Sequence, residues 1–253
     1  MMKQNKYLEC CVDCVESAIA AEQGGADRLE LCANLLIGGT TPELPLLRAI
    51  KEQVSVPVNA LLRPRFGDFC YTNFEFQCLL ENVKLFRQAG ADGIVVGALK
   101  PDGSLDKEKM QRLLQAADTL PVTLHRAFDV CRDPWEALEQ CIQWGVTTIL
   151  TSGQKNSAAE GSTLLAQLVE KAQGKVEIMV GSGVSSKNIA QLDSQIHANW
   201  YHASCKEVIQ SPMFFRREAV TMGLPVCSEY ELWRTSRQEV KKVKQALMGL
   251  GEE

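Results

Sequence analysis

Glu9 and Cys11 stand two residues apart, and Glu30 and Cys32 repeat that spacing in Glu30-Leu31-Cys32. In an extended chain residues i and i+2 share a face, so each pair sets a carboxylate beside a thiol. Thiols at equivalent places on neighbouring strands, roughly 4.8 Å apart, suit a soft ion such as Cu(I). Zinc is a poorer fit: a closed tetrahedral site wants four ligands at recognisable spacing, and Cys11-Val12-Asp13-Cys14 has no second copy. The plainer reading is two small side chains in a crowded interior.

Asn59, Leu61 and Arg63 share one phase of a third extended run, followed by Pro64 and Arg65. If Glu9, Glu30 and Arg63 all point inward, the carboxylates need Arg63 beside them, because an unpaired buried charge is very costly. His125-Arg126-Ala127-Phe128-Asp129 brings a titratable imidazole, a cation and an acid together. This is the make-up of an acid–base or anion-clamping centre. Glu9, Glu30, Arg63, Arg65, His125, Arg126 and Asp129 are therefore the candidate catalytic set, with a structural ion cluster as the alternative.

A third group suits anions. Gly181-Ser182-Gly183 forms a Gly-rich turn before a helical stretch, a common seat for phosphate. Ser152, Gly153, His202 and Ser204 flank it, so Ser152, Gly153, Gly181, Gly183, His202 and Ser204 are candidate anion-binding residues. A tight turn also needs glycines for its own sake.

These residues need a scaffold that collects strand ends at one place. Gln23-Gly24-Gly25-Ala26-Asp27-Arg28-Leu29-Glu30-Leu31 recurs as Gln88-Ala89-Gly90-Ala91-Asp92-Gly93-Ile94-Val95-Val96, and in degraded form from Gln143 to Leu150. Each phrase has a Gly where a helix closes, then a short apolar strand. Val56-Pro57-Val58 and Leu120-Pro121-Val122 start strands with Pro, which need not donate to the ladder there. The pattern predicts strands near 7–12, 28–32, 57–63, 93–98, 121–126, 147–152, 176–181 and 199–203. Helices are predicted near 14–24, 42–53, 74–89, 106–117, 133–143, 160–172, 185–193 and 229–248. Asp133-Pro134 is an N-cap followed by Pro at the first helical position.

Eight alternating units in 253 residues close most economically as an α/β fold, a single-domain (β/α)8 TIM barrel over 1–253. A doubly wound open sheet is the alternative, but no Gly-x-Gly-x-x-Gly opens a first helix. The chemistry then belongs at the C-terminal ends of the strands. An apolar insertion at about 205–228, with Met213-Phe214-Phe215 and Met222-Gly223-Leu224-Pro225, precedes the last helix. Connections of that length are often functional. It is expected to cover the barrel mouth, pack on a second subunit, or form a short helix on its own barrel.

Composition narrows the partners. A net charge of −4, from 27 basic and 31 acidic residues, argues against an extended nucleic-acid or anionic-membrane footprint. Ten cysteines in 253 residues are too few for a disulfide scaffold. The N-terminal residues show no leader-like apolar run, and no stretch is long and apolar enough for a membrane span. A reducing, cytoplasmic location with free thiols is the expectation.

The ordered motifs Leu8-Glu9-Cys10-Cys11-Val12-Asp13, Gly25-Ala26-Asp27-Arg28-Leu29-Glu30-Leu31-Cys32, Arg63-Pro64-Arg65-Phe66-Gly67-Asp68-Phe69, His125-Arg126-Ala127-Phe128-Asp129 and Leu150-Thr151-Ser152-Gly153 resemble the CutC copper-homeostasis family. The resemblance runs from about residue 7 to 204. It implies a cytosolic, usually dimeric (β/α)8 barrel linked to copper handling, with Cu(I) held by paired cysteines that fall on Cys11 and Cys32. Cys10 and Cys14 depart from the family pattern, and Phe66, Gln154 and Ser182 stand where it has glycines. A barrel mouth lined with Glu, Arg, His and Asp exceeds what a copper carrier needs. The alternative is therefore a TIM-barrel lyase, isomerase or hydrolase acting on a small anionic or phosphorylated molecule.

Overall fold

The computed structural model describes residues 5–217, 220–223 and 227–249. Eight parallel strands close into a barrel in sequence order: β1 (Tyr7–Val12), β2 (Arg28–Leu31), β3 (Val58–Leu61), β4 (Gly93–Val96), β5 (Val122–Leu124), β6 (Thr148–Thr151), β7 (Glu177–Val180) and β8 (Trp200–Ala203). Between and after them lie α1 (Val15–Gly24), α2 (Leu44–Lys51), α3 (Asn73–Gln88), α4 (Lys107–Ala117), α5 (Pro134–Trp144), α6 (Ser162–Ala172), α7 (Ile189–Ile196) and α8 (Arg237–Leu247). The expected barrel is present, each strand within about three residues of its predicted ends.

The strands alternate between two interiors. Leu8, Cys10, Val12, Leu29, Leu31, Ala60, Ile94, Val96, Leu124, Ile149, Val180 and Tyr201 face the helices and join their apolar faces in one large core. The opposite phase lines the barrel and is markedly polar, carrying Glu9, Glu30, Asn59, Thr123 and His202 around a small apolar cluster of Cys11, Cys32, Leu61 and Val95. Fully apolar packing would be cheaper there, so the polar interior needs its own account.

Local signals set the helix ends. Gly25, at φ 97°, closes α1 in the left-handed conformation. Asp133 caps α5 through the N–H groups of Trp135 and Glu136, with Pro134 following. Thr72 and Glu75 form a reciprocal capping box on α3.

The end of the chain departs from expectation. Residues 229–236 are not helical: β9 (Lys206–Gln210) pairs antiparallel with β10 (Glu231–Thr235), and α8 starts only at Arg237. Glu231-Leu232-Trp233-Arg234-Thr235 alternates charged and apolar residues, which is a strand pattern. Among the described residues the insertion carries no helix; it opens with β9 and returns to β10, with Phe214, Phe215 and Met222 exposed between the two strands. Leu224 and Pro225 of that insertion, and residues 1–4 and 250–253 of the expected domain, lie outside the described residues.

Candidate functional site

The C-terminal strand ends surround a cavity of about 1130 Å³. Its wall includes Cys11, Glu30, Cys32, Arg63, Phe69, His125, Arg126, Asp129, Gly183, His202 and Ser204, and β10 contributes one rim from Glu231 to Thr235. The hairpin thus borders the barrel mouth. Glu9, Arg65, Ser152, Gly153 and Gly181 do not line it.

On the floor, β1, β2 and β8 are neighbours, and the register places Glu9 opposite Arg28 and His202. Glu9 is fully buried. Its Oε2 accepts from Arg28 Nε at 2.5 Å, and its Oε1 lies 2.8 Å from His202 Nδ1. Arg28 rests on the Trp200 ring at 3.9 Å. Burial works against the Glu9 charge, but Arg28 and His202 outweigh it and hold the carboxyl below the usual range.

His202 Nε2 is 3.9 Å from Glu30 Oε2. Burial works against charge on this imidazole too, yet the acidic groups around it, Cys11, Glu30 and Glu9, keep its pKa well above the ordinary value. For Glu30 burial dominates, so its carboxyl is raised. One oxygen of Glu30 accepts from Cys32 Sγ at 3.2 Å, and the other, Oε1, has no partner.

The expectation that Arg63 neutralises these carboxylates is corrected. Arg28 takes that place, because it shares its side-chain phase with Glu30 and faces Glu9 across the β1–β2 pair. Arg63 instead donates to the carbonyls of Gly38, Gly39 and Gly67 at 3.3, 3.2 and 2.6 Å.

Glu9, Glu30 and His202 offer ligand atoms within 4.8 Å of one another, a possible cation seat among the described residues. The Arg28 guanidinium and the His202 ring already offset that negative charge, so a divalent ion there has to displace a proton. The thiol pair adjoins this triad through the Cys32–Glu30 contact. Cys11 is 7% exposed, Cys32 is fully buried, and both belong to the small apolar cluster under the cavity. Burial, then the Glu30 charge, pushes the Cys32 thiol well up. Cys10 points to the opposite side, into the main core, and Cys14 caps α1 by accepting from Ser17 N–H at 3.4 Å.

His125 directly follows β5, diametrically across the barrel from β1. Its Nδ1 accepts from Ala127 N–H at 3.1 Å, its ring packs tilted by 42° against Phe69 with centroids 4.7 Å apart, and burial followed by the Arg63 charge holds its pKa down to about 3. Gly97 leaves it room, since a Cβ there would meet the imidazole at 2.6 Å.

Ser152, expected to flank an anion cradle at Gly181-Ser182-Gly183 after β7, instead helps hold an anion of the protein's own. Asp129 accepts from Thr151 Oγ1 at 2.6 Å, Ser152 N and Oγ at 3.0 Å and Gln154 N at 3.1 Å, and pairs with Arg126 Nε at 2.7 Å. Gly153 and Gly181 serve packing. A side chain on Gly153 would strike the Gly161 backbone, and one on Gly181 would meet Leu150 at 2.6 Å. Gln154 and Ser182 take φ of 57° and 76°, the left-handed backbone glycine would favour. Arg65 is held outside by Glu75 at 2.6 Å and Asp68 at 3.0 Å.

A model of the CutC family matches residues 6–207. The chain is 43% identical over 235 residues to the copper homeostasis protein cutC homolog of Homo sapiens, covering 92% of this chain and 86% of that one. It is 43% identical over 238 residues to a family protein CutC of Parabacteroides distasonis, covering 93% and 98%. A solved CutC structure from Streptococcus agalactiae superposes with a TM-score of 0.75 at 29% identity, covering 79% of this chain and 98% of that one. An N-(5'-phosphoribosyl)anthranilate isomerase from Pyrococcus furiosus shares the barrel alone, with a TM-score of 0.58 at 13% identity over 97% of this chain and 100% of that one.

Proposed function

The chain belongs to the CutC copper-homeostasis family, and from that premise we propose that it binds Cu(I) through Cys11 and Cys32 at the base of the barrel cavity. The observation that carries this is their placement. Two thiols on adjacent strands share one small apolar cluster, reachable from the cavity and away from the other buried cysteines of the main core. Soft thiolates with a dry surround suit Cu(I).

Loading exchanges the thiol protons for the ion. Glu30, 3.2 Å from Cys32 Sγ, is the acceptor at hand, and His202 offers a positive neighbour to the bis-thiolate complex. The expected working place is a reducing cytoplasm, consistent with ten free cysteines. Among the described residues no helix is long and apolar enough to cross a membrane. Two copies are proposed to associate, with the apolar hairpin surface around Phe214 and Phe215 as the contact. A competitive Cu(I) titration of the wild type and the Cys11→Ser/Cys32→Ser double variant tests the assignment; retained stoichiometric binding in the variant removes it.

A second reading is favoured by Arg63, a guanidinium only 8% exposed that enters no ion pair among the described residues. A copper ion at Cys11 and Cys32 leaves that charge uncompensated. In this reading the cavity accepts a small anionic or phosphorylated molecule, with Glu30 as proton-transfer group and Arg126, Gly183, His202 and Ser204 on the anion side. A screen of phosphorylated and carboxylated metabolites by thermal shift tests it, and no stabilisation by any of them argues against it.

A further inference from the structure

Six buried side-chain atoms among the described residues bond to nothing, and three of them belong to residues of this one cavity wall: Glu30 Oε1, Arg63 Nε and His125 Nε2. Leaving such a group without a partner costs about 1–3 kcal/mol, and more when it is charged. Random imperfection would scatter orphans through the core. Here half of them belong to residues that line one cavity, as expected of polar groups that a ligand would satisfy.

Two of the three are donors on side chains that share Phe69 as a neighbour. Arg63 spends both terminal nitrogens on the carbonyls of Gly38, Gly39 and Gly67, so its free donor is Nε–H. Its guanidinium carbon lies 4.8 Å over the Phe69 ring, whose other neighbour is His125 at 4.7 Å. Because His125 Nδ1 accepts from Ala127 N–H, the ring proton sits on Nε2, and that N–H has no acceptor. The ring therefore presents a fixed neutral donor, which suits holding an oxygen and not shuttling a proton.

We propose that Arg63 and His125 form a carboxylate subsite, so that the small anion of the second reading is an organic acid whose carboxylate accepts from Arg63 Nε–H and His125 Nε2–H. The inference rests on that second reading and names its ligand class. One guanidinium with one neutral donor matches the single charge and two oxygens of a carboxylate. A phosphate dianion exceeds the charge that this pair of donors alone offsets. The Cys11–Cys32 pair lies at β1 and β2 and is not part of the subsite.

The test uses the full reduced chain labelled with ¹⁵N in its histidines, of which there are three, so the imidazole spectrum is simple. Acetate, pyruvate and malonate are the probes, with inorganic phosphate as comparator. At neutral pH His125 is expected to show a proton on Nε2 alone, and pyruvate is expected to move that resonance. Arg63→Gln is expected to raise the saturating concentration at least tenfold, and Arg63→Lys to recover only part of it. If Arg63→Gln fails to fold, the wild-type His125 resonance still decides the matter. Phosphate binding with His125 unmoved by any carboxylate overturns the subsite but leaves the second reading standing. No resonance shift with any probe, phosphate included, overturns both.

Discussion

Cys32 Sγ lies 3.2 Å from Glu30 Oε2, two residues away on the same strand face, so the more buried of the two candidate copper thiols is hydrogen-bonded to a carboxylate. The contact links the soft pair to the Glu30–His202–Glu9 chain that runs across β2, β8 and β1. A proton leaving Cys32 has an acceptor in contact.

Copper binding should therefore depend on pH. The Cys32 thiol is held up, so Cu(I) has to displace its proton. Apparent affinity is expected to rise about tenfold per pH unit for each proton released, over roughly pH 6 to 8. A competition titration repeated across that window checks it. A flat profile would mean that thiolates are not the ligands.

Removing Arg28 should be costly. Arg28→Met leaves the fully buried Glu9 with His202 alone, and losing one partner of a buried pair costs about 3–5 kcal/mol. For a chain of this size that is on the order of 10 °C in Tm. Calorimetry showing a shift within about 2 °C, below 1 kcal/mol, would show that Glu9 does not need the pair.

His125 should make the fold acid-sensitive. Its folded pKa of about 3 lies below the ~6.5 of a free imidazole, so the unfolded chain takes the proton first as pH falls. Its contribution is present above about pH 6.5 and is lost toward about 3, by at most about 1.4 kcal/mol per unit. His202 runs the other way. Its pKa is raised, so its contribution is full below about 6.5 and fades as pH climbs through the folded value. Denaturant midpoints of His125→Asn across the acid window should fall less steeply than those of the wild type. Parallel curves would contradict the buried neutral ring.

How much of this was legible in the sequence depends on the range of the interaction. The Gly-Ala-Asp phrases and strand prolines mark local junctions, so all eight barrel strands could be placed before any packing was known. The polar inner face was readable too, because Glu9/Cys11 and Glu30/Cys32 follow from side-chain alternation alone. The Arg28–Glu9 pair depends on strand register, and attention to the C-terminal strand ends hides a residue at the start of β2. Its phase with Glu30 was the available signal. Asp129 taking the donors at the end of β6 was not legible, since those donors come from 22 to 25 residues further on. The β9–β10 hairpin was missed because a 20-residue separation masks a pair of five-residue strands.

Asp129 should act as a built-in anion. Asp129→Ala strands Thr151, Ser152 and Gln154 donors and frees Arg126, at an expected loss of about 3–5 kcal/mol. Inorganic phosphate is expected to raise the Tm of this variant more than that of the wild type. Equal shifts would show that the loop does not retain an anion seat.

The most direct test of the account is Cu(I) competition against a strong chelator, with reduced wild type and Cys11→Ser/Cys32→Ser side by side. The account predicts one tight site in the wild type and its loss in the variant, with the other eight cysteines contributing only weak binding. Equal tight binding by both proteins would contradict it.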